Sequence, residues 1–124
     1  HREVIDELSV PIIPLSGDAA ILPIIGTFDT YRAQRLQERS FEQIEKIKIK
    51  RMILDLSGVA FIDTAVTQRL FKIIDGYKLL GCSTIITGIR HEVANALIDM
   101  GIELEGKFEI KGDLKQALDE FKLL

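Results

Sequence analysis

Asp55-Leu56-Ser57-Gly58-Val59-Ala60-Phe61-Ile62-Asp63-Thr64 is the stretch on which the reading of this chain turns. Just before it, Met52-Ile53-Leu54 extends Asp55-Leu56 backwards into a short apolar run, which fits a buried strand. After it, Val66, Leu70, Ile73, Tyr77 and Leu80 recur on one stripe, with Thr67, Gln68, Lys72, Asp75 and Lys78 facing away. That spacing predicts a helix over 64–80, opened by Thr64 and closed by Gly81. The unit is strand, polar junction, helix.

The same unit recurs on either side. Upstream, Ala20-Ile21-Leu22-Pro23-Ile24-Ile25 leads through Gly26-Thr27-Phe28-Asp29-Thr30 into a helical pattern over 30–47, with Ala33, Leu36, Ser40, Ile44 and Ile47 on one face. Downstream, Thr84-Ile85-Ile86-Thr87 leads through Gly88-Ile89-Arg90 into a helix over 91–100 that Gly101 ends. A short strand around Lys107–Ile110 and a helix from Asp113 to Leu123 complete the pattern. At the start, Ile12–Leu15 and Ala20–Ile25 flank Ser16-Gly17-Asp18 as a hairpin would. Pro11, Pro14 and Pro23 each lack a ladder donor, so at least one of these strands belongs at a sheet edge. Alternating strands and helices predict an α/β fold with a mostly parallel, mixed sheet and crossover helices. In such folds function gathers at the carboxyl edge of the sheet.

Composition bounds the rest. The chain has 124 residues, room for one domain. Residues 1–10 read as a linker from a region upstream, because the chain opens His1-Arg2-Glu3 without a methionine and Glu3–Leu8 resembles a helix tail; 11–124 reads as the domain. A net charge of −3 gives no reason to expect nucleic acid or an anionic membrane surface, and Lys46, Lys48, Lys50 and Arg51 read as a solvated helix end. No run approaches the roughly 20 apolar residues of a membrane span, and no leader pattern opens the chain. Cys82 is the single cysteine, which suits a reducing compartment, so a cytoplasmic location is expected.

Three junctions share a small polar vocabulary: Asp29-Thr30, Asp63-Thr64 and Thr87-Gly88. Helix capping alone accounts for both Asp-Thr pairs. A hydroxyl at such a position is also exposed, and a phosphate placed there meets the positive end of the helix dipole.

The linked motifs resemble the STAS domains of RsbR-type stressosome proteins. Asp55 to Thr64 is similar to the STAS signature, and Leu22 to Thr30, Leu80 to Arg90 and Ala96 to Ile102 are similar to that subfamily's corresponding segments. The resemblance implies a STAS fold and the C-terminal part of a regulator with a variable sensor region ahead of it. It also implies co-assembly with other STAS proteins, in a stressosome that sequesters a serine/threonine switch kinase. That kinase would phosphorylate Thr64 and Thr30, then depart to activate a downstream phosphatase. Asp29, Asp63, Thr87 and Gly88 would belong to the partner-binding surface. Single-domain anti-sigma-factor antagonists, the alternative, carry serine where this chain has Thr64.

Other chemistry finds little support. A receiver-type phospho-acceptor site lacks its acidic pair and distal lysine around Asp55 and Asp63, and His1 and His91 have no metal-ligand spacing. Cys82 has no partner for a catalytic triad and reads as a small buried thiol. Gly58, Gly76, Gly81 and Gly88 read as turns or helix punctuation rather than a nucleotide loop. No enzyme activity, cofactor or metal is expected. Phe71 and Leu79 fall off the helical core stripe, and are expected to form an apolar patch for a second STAS domain, as a homodimer or in a larger assembly.

Overall fold

The computed structural model describes residues 10–101 and 108–122. The helix-tail reading at Glu3–Leu8 and most of the 1–10 linker lie outside these residues, as does Lys107. Among the described residues, five strands form one mixed sheet in the order β1 (Ile13–Pro14), β2 (Ala19–Ile25), β3 (Arg51–Gly58), β4 (Ser83–Thr87), β5 (Glu109–Lys111). β1 runs antiparallel to β2, and the remaining neighbours are parallel. Between the parallel strands lie α1 (Thr30–Ile47), α2 (Thr64–Leu79) and α3 (His91–Asp99); α4 (Leu114–Glu120) follows β5. The α/β alternation expected from the sequence is therefore the architecture observed.

Each parallel step moves across the sheet in one direction, so right-handed crossovers put α1, α2 and α3 on the same face. The main core has that composition: Leu22, Ile24, Met52, Leu54, Leu56 and Ile86 from the strands meet Leu36, Ile44, Leu70, Ile73, Tyr77 and Val93 from the three helices. Strand residues of the opposite parity, Ile53 and Ile85, point the other way and are covered by Ala117, Leu114 and Leu118 of α4. This two-sided burial explains why β3 reads as a continuous apolar run. The edge position of β1 accommodates Pro14. Leu15 N–H donates to Ala19 O, so odd-numbered positions of β2 face β1, and the missing amide of Pro23 falls beyond the end of that short strand, at a register irregularity.

Packing shifts some helix faces from those read in the sequence. α2 buries Val66, Thr67, Leu70, Ile73, Ile74 and Tyr77, because it packs against both α1 and the sheet. Thr67, read as outward-facing, is thus inside, and its hydroxyl donates to Asp63 O at 2.7 Å, which removes the cost of burying it. Leu80 and Ile47, read as core, are exposed at helix ends. Gly76 is not punctuation but lies in the last turn of α2, where a Cβ would lie 2.3 Å from Cζ of Phe41 on α1. Tyr77 beside it is fully buried and donates to Ser40 Oγ at 2.7 Å; Ser40 in turn donates to Leu36 O, so the polar residue on the apolar stripe of α1 has a partner. Burial holds the Tyr77 phenol well above its usual pKa. Arg51, grouped in the sequence with solvated lysines, pairs with Asp18 at 2.7 Å and donates to Phe121 O at 2.9 Å, tying the chain beyond α4 to the sheet.

Candidate functional site

The carboxyl ends of β2 and β3 are joined: Ile25 and Gly58 are register partners, and Gly26 N–H donates to Gly58 O at 3.1 Å. The two Asp-Thr junctions therefore leave the sheet side by side. At each, the aspartate is the N-cap. Asp29 Oδ1 accepts from Arg32 N and Asp63 Oδ1 accepts from Val66 N, both at 2.8 Å. Thr30 and Thr64 are consequently the first helical residues, exposed, and neither hydroxyl has a hydrogen-bond partner among the described residues. Capping, which the sequence left shared between the two residue types, falls to the aspartates alone.

The third junction is built differently. Thr87 is 0% exposed, and its hydroxyl donates to Asp55 Oδ1 at 2.6 Å. The other oxygen of Asp55 accepts from Ser57 Oγ at 2.5 Å and from Ser57 N at 3.3 Å. Thr87, expected on the partner surface, is thus withdrawn from it: the residue lies inside the sheet end and positions the Asp55 carboxylate. Gly88 is half-buried at φ +69, and a Cβ there would come within 2.8 Å of Asp55 Oδ1 and of Ser57 Cβ. It lets the turn after β4 approach β3 closely.

Two residues not singled out in the sequence stand at the same edge. Phe61, in the loop before Asp63, is 71% exposed, and Ile25 is 66% exposed. The signal for Phe61 was present, a large aromatic in a polar junction with no periodic stripe to join. Arg32 holds the neighbouring loop, its Nη1 donating to Ile25 O at 2.7 Å and to Thr27 O at 2.6 Å.

Of the two apolar residues expected to form a patch, Leu79 is 89% exposed, whereas Phe71 is half-buried against the ring of Phe108, 5.4 Å between centroids. The exposure expected for Phe71 is corrected: α2 presents it to the segment entering β5. Cys82 is buried, and burial, reinforced by the nearby Asp18 charge, pushes its thiol up to about 12, which suits an unreactive core residue. Among the described residues, no group of three His, Cys, Asp or Glu side chains comes together to hold a metal ion, and no helix is long and apolar enough to cross a membrane.

Comparison with known proteins gives this geometry a context. The family model described as STAS domain matches residues 11–117. The RsbT co-antagonist protein RsbRD of Bacillus subtilis (strain 168) is 44% identical over 103 residues, covering 83% of this chain and 37% of that protein, so the chain spans well under half of that relative. Among solved structures, a single-substitution variant of RsbS from Moorella thermoacetica superposes with a TM-score of 0.76 at 30% identity, covering 91% of this chain and 94% of the other. A chain from the molecular architecture of the stressosome gives a TM-score of 0.77 at 28% identity, covering 90% and 96%.

Proposed function

This chain belongs to the STAS domain family, and we propose that it is the C-terminal, non-enzymatic STAS domain of an RsbR-like regulator that binds a serine/threonine switch kinase and is phosphorylated by it on Thr64 and Thr30. The single observation that supports this most is the pair of exposed threonines at adjoining capped helix starts, each hydroxyl without a partner among the described residues. Similarity to an RsbT co-antagonist and to a stressosome chain supports a role in such an assembly.

In this reading the kinase docks across the β2 and β3 ends, on Asp29, Asp63, Phe61 and Ile25, with Gly88 setting the loop beneath. A phosphate adds roughly −1.5 to −2 charge beside an aspartate, which repels a partner fitted to the unmodified edge. The helix N-termini receive that charge favourably, so the fold is retained while the surface changes. Association with other STAS proteins, as a homodimer or a larger cytoplasmic assembly, uses a different face that includes Leu79.

A pull-down of purified switch kinase with unmodified and doubly phosphorylated protein tests the switch. Retention by the first and release by the second is expected; equal retention by both contradicts it.

A further inference from the structure

Arg69 of α2 differs from the arginines that pair with carboxylates. Arg35 pairs with Glu38, Arg51 with Asp18 and Arg90 with Glu92, while Arg32 donates to two carbonyl oxygens. Arg69 is half-buried, and its hydrogen-bond acceptor among the described residues is a neutral amide: Nη2 donates to Gln34 Oε1 of α1 at 2.9 Å. Its Nε is buried with no acceptor among the described residues. A partly desolvated guanidinium with a neutral partner and an unused donor is a position that an anion would stabilise.

Gln34 lies four residues after Thr30 on α1, and side chains at that spacing are neighbours on one helix face, about 5–6 Å apart at Cβ. Gln34 Nε2 is held by Glu38 Oε1 at 3.0 Å, and Glu38 is itself engaged by Arg35, so Gln34 keeps a partner if Arg69 leaves it.

We propose that Arg69 is the intramolecular receptor for a phosphate on Thr30, exchanging the Gln34 amide for phosphate oxygens that accept from Nη2 and Nε together. The exchange replaces a neutral hydrogen bond with a charge-assisted, bidentate one. It ties the start of α1 to α2, the helix that Thr64 opens. The inference rests on Thr30 being a phosphoacceptor.

The test uses phosphothreonine placed at position 30 by codon reassignment, without a kinase, so its failure is distinguishable from a failure of the kinase reading. Phosphorus NMR follows the second ionisation of the phosphate, and nitrogen–proton NMR follows Arg69 Nε–H. The expected result is an ionisation midpoint lower by about one unit than in the Arg69→Gln protein, with a large Nε–H shift on modification. Gln34→Ala serves as the second variant, removing the competing amide without touching the cation. It should leave the lowered midpoint intact. Equal midpoints with and without Arg69, or an Nε–H signal unmoved by the phosphate, would overturn the proposal.

Discussion

Thr87 donates its hydroxyl to Oδ1 of Asp55 at 2.6 Å, and the two residues are register partners at the carboxyl ends of β4 and β3. The same carboxylate receives Ser57, so one half-buried aspartate organises the exits of two strands. Thr87→Val keeps the shape and removes the donor. The expected loss is about 1–2 kcal/mol, since a partly buried carboxylate oxygen is left without its bond. Urea unfolding should show a lower midpoint at unchanged slope.

Gly88 and Gly81 both have positive φ, +69 and +82, but their surroundings differ. A Cβ at Gly81 would meet nothing within 4 Å, whereas at Gly88 it would press on Asp55, Ser57 Cβ and the Ser57 backbone N. Gly81→Ala should therefore cost only the left-handed backbone penalty of about 1–2 kcal/mol. Gly88→Ala should cost clearly more, by calorimetry or denaturant unfolding of the two variants side by side.

At the second junction the cap and the proposed phosphoacceptor are separable. Asp63→Ala removes the acceptor of Val66 N and should cost about 1 kcal/mol. Thr64→Ala removes an exposed hydroxyl with no partner among the described residues and should stay within about 0.5 kcal/mol. Paired unfolding curves check this, and a larger loss at Thr64 would contradict the assignment of the cap.

Leu79→Glu and Phe71→Glu should behave differently. The first changes an exposed residue, and is expected to weaken self-association in sedimentation experiments while leaving the unfolding midpoint in place. The second places a charge against Phe108 and the core, and should lower stability by more than about 1 kcal/mol. Association unaffected by Leu79→Glu would remove that residue from the interface.

The alternation of elements was legible because each strand is a short apolar run and each helix has a periodic stripe, signals carried by neighbours in sequence. The Asp-Thr pairs were legible as helix starts for the same reason. What escaped depends on partners distant in the chain. Thr87 is buried because Asp55 accepts its hydroxyl from the next strand, and Gly76 is glycine because Phe41 seats its ring there. Phe71 is covered by Phe108, and Thr67 turns inward because α2 packs on α1 and on the sheet at once. A single helical stripe cannot express a face with two neighbours.

The most direct measurement is the map of phosphorylation after incubation with the switch kinase and ATP, read by tandem mass spectrometry. Phosphate is expected on Thr64 and Thr30, with the neighbouring hydroxyls unmodified. Thr67 and Thr84 are buried, and Thr27 lies in the loop that Arg32 holds. Thr64→Ala and Thr30→Ala should each remove one site and leave the other. Phosphate found mainly on Thr27, Thr67 or Thr84, or none on either helix-start threonine, would contradict the account.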